Sequence, residues 1–307
     1  MRAFTLDSFE SPPGLRDDLP ALEVGPNEML VRVHASSVNP ADAAIAAGML
    51  KEMAEHEFPV TLGRDYAGVV EDAGSAVSGY SPGDEVYGFL VHANPTVHEG
   101  SWADYLVVRE GMSVARKPAG VDFATAGAAP LAALTALAAF DALEISESAT
   151  VLVVGASGGV GSFFVQLAAA AGATVIAPAL PEDRDYLRGL GASVVIDRDA
   201  DVASHVREHE PEGVDGLLDL VSFAPDASAL KQGGRLASSL GAAGEGPGRT
   251  NLMASPTTSN LERLAQLLGA GSLRVPIQHT YPLEQASTAL KSLTSTHTQG
   301  KLAITIA

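Results

Sequence analysis

The segment from Val151 to Ala171 constrains the fold more tightly than any other. Val151-Leu-Val-Val154 is a run of apolar, mostly β-branched residues, the pattern of a strand buried on both faces. Gly155-Ala-Ser-Gly-Gly-Val-Gly161 follows, and then Ser162–Ala171, with Phe164, Leu167, Ala168 and Ala171 at helical spacing. Strand, glycine turn and helix in that order open a βαβ unit. Gly155 lets the chain turn sharply, Gly158 and Gly159 leave bare backbone for a diphosphate to approach, and Gly161 lets the helix pack closely on the strand. The helix then aims free N–H groups and its positive dipole end at the phosphates. Gly155, Ser157, Gly158, Gly159, Val160 and Gly161 are therefore the expected cofactor-binding residues. The spacing, Gly-x-x-Gly-x-x-Gly, is a variant of the dinucleotide fingerprint, and a glycine-rich turn that binds nothing is the alternative.

The rest of the chain divides in three. Residues 1–121 read as short alternating strands between Pro and Gly punctuation: Arg2–Leu6, Glu28–Ala35, Tyr66–Gly74 and Asp84–Phe89. From 122 to 271 strands alternate with helices, which implies a parallel, doubly wound sheet whose last strand, Thr250–Ala254, forms an edge. Residues 272–307 carry strand, helix, strand and are expected to return to the N-terminal domain. The apolar stretch 124–143 is alanine-dominated and carries Pro130 and Thr135, so it reads as loop and buried helix rather than a membrane span. Met1-Arg-Ala-Phe-Thr-Leu-Asp has no apolar h-region, and a soluble cytoplasmic protein is expected. The chain has no cysteine, which excludes disulfides, thiolate catalysis and Cys-ligated zinc. Its formal charge of −18 repels nucleic acid and anionic membranes, and neither is expected as a partner.

Seven motifs occur in a set order: Val38-Asn-Pro-Ala-Asp42, Leu62-Gly-Arg-Asp-Tyr-Ala-Gly-Val-Val70, Gly83-Asp-Glu-Val-Tyr-Gly88, Gly100-Ser-Trp-Ala-Asp-Tyr105, Ala128-Ala-Pro-Leu-Ala-Ala-Leu-Thr-Ala136, the glycine turn and Gly300-Lys301. Together they resemble the zinc-independent quinone oxidoreductase branch of the medium-chain dehydrogenase/reductase superfamily, over nearly the whole chain. The resemblance implies an α/β protein: a GroES-like, partly open β-barrel, a Rossmann domain, and a cleft between them for nicotinamide and substrate. It also implies a homodimer through the Rossmann edge strand. Zinc-dependent relatives carry Gly-His-Glu where this chain has Gly63-Arg64-Asp65, so a metal-free site is expected. His205 and His209, four apart on a predicted helix, read as a solvated face.

An NAD-binding unit places an acid about 20 residues past the first glycine, on the ribose 2′-hydroxyl. Here the second strand ends Val175-Ile-Ala-Pro-Ala179 with no acid at its tip, which favours NADP(H). Arg184 is the expected partner of the 2′-phosphate. Glu182, Asp183 and Asp185 surround it, and an ordinary solvated arginine is the alternative. Lys301 is expected near the cofactor, with a solvated lysine as its alternative. Without zinc, hydrogen-bond donors must polarise the acceptor oxygen. The resemblance nominates Asn39, near the nicotinamide ribose and substrate, and Thr135, with Arg64 in place of the lost histidine as the electrophile. Each has a structural alternative: Asn39-Pro40 as a turn, Thr135 as a helix cap, and Arg64–Asp65 as an ion pair. The stretch Ala43–Leu50 has no tyrosine, unlike well-known quinone reductases of this branch, which makes the expected pocket roomier and more apolar. The expected function is NADPH-dependent hydride transfer to a small apolar quinone or α,β-unsaturated carbonyl compound. An enoyl-thioester reductase and a non-catalytic NADPH-binding protein are the alternatives.

Overall fold

The structure, a computed structural model, describes residues 1–91 and 96–306. Two compact units form: Met1–Leu131 with Pro256–Gly271 and the chain from Ile277 onward, and Ala132–Ser255 with Ser272–Pro276. These limits differ from the expected 1–121, 122–271 and 272–307. The helix Thr258–Gly269 clusters with the first unit because it is tied there: Tyr87 Oη donates to Leu261 O at 2.5 Å and Ser113 N–H to Pro256 O at 3.0 Å. Leu261 and Leu264 are buried.

The first unit is built around the strand Glu28–Val38. It pairs antiparallel with Asp65–Ala73, Tyr105–Arg109 and Lys301–Thr305, and the last of these pairs parallel with Ile277–Pro282. Met29, Val31 and Val33 alternate into the core beside Leu106, Leu302 and Ile304, while Arg32 faces outward. A second sheet, Gly14–Arg16, Ala3–Leu6 and Val60–Thr61, completes the open barrel expected from the sequence. The register Ala35↔Ala67 and Leu302↔Val38 brings the end of one strand and the starts of two others to one corner: Ser37 to Asn39, Asp65 and Lys301. Asn39-Pro40 is not an isolated turn there. Asn39 is the N-cap of the helix Pro40–Ala46, with Pro40 at its first position, where a missing N–H costs nothing.

The second unit holds a six-stranded parallel sheet. Its order is Val194–Asp197, Thr174–Ala179, Thr150–Val154, Val214–Asp219, Leu230–Ser238, Arg249–Asn251. The chain builds outward from Thr150–Val154 on one side and then returns to build on the other, the doubly wound arrangement expected from the sequence. Leu152, Ile176, Leu217 and Leu236 fill the core of this sheet. The helix Pro130–Leu143 begins five residues before Thr135, so Thr135 lies nearly buried in its interior and is not a cap. Among the described residues no helix is long and apolar enough to cross a membrane.

Candidate active site

In the second unit a cavity of about 560 Å³ opens at the carboxyl ends of the parallel strands, where the strand order reverses. Gly155 and Ser157 line it after the first strand, and Ala179 and Leu180 line it at the tip of the second. Gly155 has φ +88°, a left-handed turn that a side chain would strain, and a Cβ there would stand 2.9 Å from Val221 Cγ1. The helix Gly159–Ala170 starts from Gly158, and its first intrahelical bond runs from Ser162 N–H to Gly158 O at 2.9 Å. The N–H groups of Gly159, Val160 and Gly161 precede that bond and have no intrahelical acceptor. A Cβ at Gly158 would meet only Gly155 O, at 3.6 Å, so the bare backbone there borders open space. Free amides, a positive helix end and unfilled space suit a pyrophosphate.

Arg184 is exposed and does not line this cavity, whereas Arg198 does. Arg198 follows the strand Val194–Asp197, and its N–H donates to Ala179 O at 3.1 Å, which holds it beside the tip of the second strand. Its side chain has one loose pairing, Nε to Asp199 Oδ1 at 3.8 Å. Arg198, which lines the cavity, is not among the residues singled out in the sequence. The signal was present in the strand order: an arginine directly after the third strand of such a sheet sits next to the second strand's tip. Asp183 is buried and also lines the cavity, four residues beyond that tip.

In the first unit, Asn39, Asp65 and Lys301 form one buried knot. Asn39 Nδ2 donates to Asp65 Oδ2 at 2.8 Å and to Ser37 Oγ at 3.3 Å. Lys301 Nζ donates to Asn39 Oδ1 at 2.6 Å and lies 3.6 Å from Asp65 Oδ2. Ser37 Oγ donates to Asp65 Oδ2 at 2.6 Å, and Leu131 N–H donates to Asp65 Oδ1 at 2.7 Å. The Lys301 side chain is 3 % exposed, so it is not the solvated lysine of the alternative reading. Burial pushes its ammonium below the ordinary lysine value, against the pull of Asp65 and Asp42.

Arg64 does not pair with Asp65, its neighbour in sequence. Its Nη2 donates to Glu99 O at 2.5 Å and to Thr61 O at 3.3 Å, and its Nε stands 4.0 Å from Asp42 Oδ1. Those two facing atoms are buried without hydrogen-bond partners, while Asp42 Oδ2 accepts the Asn39 N–H at 2.8 Å. Burial raises the Asp42 carboxyl to about 7, although Arg64 and the Asn39 N–H pull it down. The same burial lowers the Arg64 guanidinium. Because the folded value of Asp42 exceeds the unfolded one, near 3.9, its contribution to stability is complete below that pH and is lost as pH rises through about 7. Urea midpoints of the wild type and Asp42→Asn, measured from pH 4 to 8, should therefore converge at the acid end. The wild type should lose ground relative to the variant as pH rises. A difference that does not change with pH would refute this titration.

The structure therefore joins Asn39 and Lys301, two of the expected site residues, and sets Arg64 against Asp42 near them. Gly155, Ser157, Gly158, Gly159, Val160 and Gly161 form the glycine turn in the other unit, and Thr135 lies in that unit too. Among the described residues no group of three or more His, Cys, Asp or Glu is placed to hold a metal ion.

Known proteins match this arrangement along its length. The family model described as alcohol dehydrogenase GroES-like domain matches residues 25–119, and that described as zinc-binding dehydrogenase matches residues 190–304. A quinone-oxidoreductase homolog, chloroplastic, from Spinacia oleracea is 30% identical over 91% of this chain and 89% of its own. An NADPH-dependent alkenal/one oxidoreductase, chloroplastic, from Arabidopsis thaliana is 30% identical over 94% of this chain and 75% of its own. The solved quinone oxidoreductase from Coxiella burnetii superposes with a TM-score of 0.89 at 30% identity, covering 100% of this chain and 99% of that one. A barrel and a doubly wound sheet with these matches over both show that the chain belongs to the medium-chain dehydrogenase/reductase superfamily, in its quinone oxidoreductase-like branch.

Proposed function

We propose that this protein is an NADPH-dependent, zinc-independent reductase of quinones or α,β-unsaturated carbonyl compounds. The observation that carries the reading is the cavity lined by Gly155 and Ser157, residues that lead into a helix whose first amides, of Gly159, Val160 and Gly161, have no intrahelical acceptor. Those amides, with Ser157 and Gly158, hold the pyrophosphate. Arg198 is the cation beside the adenosine ribose. The bound nicotinamide supplies a hydride; the protein's part is to hold the acceptor, polarise its oxygen and exclude water. Asn39 is our candidate for the polar contact. The named substrates of the Spinacia and Arabidopsis relatives support the substrate class. The absence of cysteine, and Arg64 in place of a histidine ligand, support the zinc-free reading.

Fluorescence titration with NADPH and NADH, followed by NADPH oxidation with a benzoquinone, a naphthoquinone, an enone and crotonyl thioester, tests the proposal. Turnover with a quinone or the enone, and tighter binding of NADPH, are expected. Turnover with crotonyl thioester alone would make it an enoyl-thioester reductase. Tight NADPH binding without turnover would make it a binding protein. In the same titration Arg198→Ala should weaken NADPH about 10- to 100-fold, the loss of a charge-assisted contact, and leave NADH unchanged. Arg184→Ala should change neither.

A further inference from the structure

We infer that Lys301 is a positioning residue: it sets the orientation of the Asn39 amide and acts on the reaction only through it. The inference rests on the proposed role of Asn39.

The Asn39 amide bridges a cation and an anion. Its oxygen takes a hydrogen bond from the Lys301 ammonium, and its nitrogen gives one to the Asp65 carboxylate. Flipping the amide would face NH₂ against an ammonium and C=O against a carboxylate, two repulsive contacts in a buried site where such groups have no water to turn to. One orientation is therefore enforced. Lys301 reaches it because strand Lys301–Thr305 runs antiparallel to Glu28–Val38 in the register Leu302↔Val38, which puts the lysine opposite the strand end that carries Asn39.

Lys301 has nothing left to offer a ligand. Its three N–H groups have three neighbours: Asn39 Oδ1, Val38 O at 3.4 Å and Asp65 Oδ2. Asn39 does have spare capacity. Its second N–H makes only the long 3.3 Å contact to Ser37 Oγ, and Oδ1 keeps a second lone pair. The ammonium pulls electron density onto Oδ1 and so strengthens Asn39 as a donor through that weakly held N–H, the cooperative effect of a hydrogen-bond chain. Lys301 thus aims and polarises a group that touches the bound molecule without touching it itself.

A double-mutant cycle tests this with 1,4-benzoquinone and NADPH as probes, reading kcat, KM and the NADPH dissociation constant for Asn39→Ala, Lys301→Met and the double variant. Each single change should lower kcat about 10- to 100-fold, the scale of a misplaced catalytic contact, with NADPH affinity within about twofold of the wild type. On the present inference the double variant is no slower than Asn39→Ala alone. Multiplicative losses would overturn the inference while leaving the role of Asn39 intact, as would unchanged kcat in Lys301→Met. A large loss of NADPH affinity in Lys301→Met with kcat retained would also overturn it, making Lys301 a cofactor ligand. An Asn39→Ala variant as fast as wild type would remove both the role of Asn39 and the inference. If Lys301→Met leaves too little folded protein, Lys301→Met/Asp65→Asn removes both buried charges together. Adding Asn39→Ala to that pair should cost less than twofold, and a further tenfold loss would count against the inference.

Discussion

Replacing Gly161 with valine should weaken NADPH binding by at least about 100-fold in a fluorescence titration. A Cβ at this position would stand 2.6 Å from Ala156 Cα and 2.7 Å from Ala156 O, distances that real side chains do not adopt. The obstructing atoms are backbone on the far side of the turn, so relief requires the helix Gly159–Ala170 to move away from the strand Thr150–Val154. The amides of Gly159, Val160 and Gly161 then shift with the helix away from the place proposed for the pyrophosphate. Losing two charge-assisted hydrogen bonds at about 1.5–3 kcal/mol each amounts to a factor of about 10² to 10⁴ in affinity. Gly158→Ala is the informative contrast. Its Cβ has room within the protein, meeting only Gly155 O at 3.6 Å, so stability should hold, while on the proposed role of the turn affinity should fall. Wild-type affinity in Gly161→Val would show that the turn does not cradle the pyrophosphate.

Asp65→Ala should be the most destabilising single truncation in the barrel unit, by about 3–5 kcal/mol, the cost of leaving one partner of a buried pair without the other. Asp65 is fully buried and accepts from Ser37, Asn39 and the Leu131 N–H beside the Lys301 ammonium, so its removal strands a cation and three donors at once. Against a total stability of roughly 5–15 kcal/mol, a shift of that size is easily read as a lower urea midpoint. Asp65→Asn keeps an acceptor for Leu131 and should fall between the variant and the wild type. A change below about 1 kcal/mol in Asp65→Ala would mean that the knot is incidental to folding.

Arg64 and Asp65 show how adjacency misleads. Successive residues along extended chain point to opposite sides, so two neighbours of opposite charge are poorly placed to pair. Arg64 reaches backbone carbonyls and faces Asp42, while Asp65 meets Lys301 from the other end of the chain. Lys301, expected near the cofactor with a solvated lysine as the alternative, is buried against Asn39 and Asp65. A lysine after a glycine at a strand start looks solvated, and only the pairing Leu302↔Val38 turns it inward. A cap at Thr135 was the alternative role, and Pro130 starts the helix five residues before it.

The amino-acid sequence alone determined the glycine turn, the parallel βαβ succession and the lack of any cysteine. Each rests on local properties: which residues lack a Cβ, how apolar positions repeat, and which side chains are present at all. Tertiary structure alone decided the partners of Asn39, Asp65 and Lys301 and placed Arg198, not Arg184, in the cavity wall. Those depend on strand register and sheet order, which bring together residues far apart in the chain, and no local pattern encodes which distant side chain will arrive opposite a given charge.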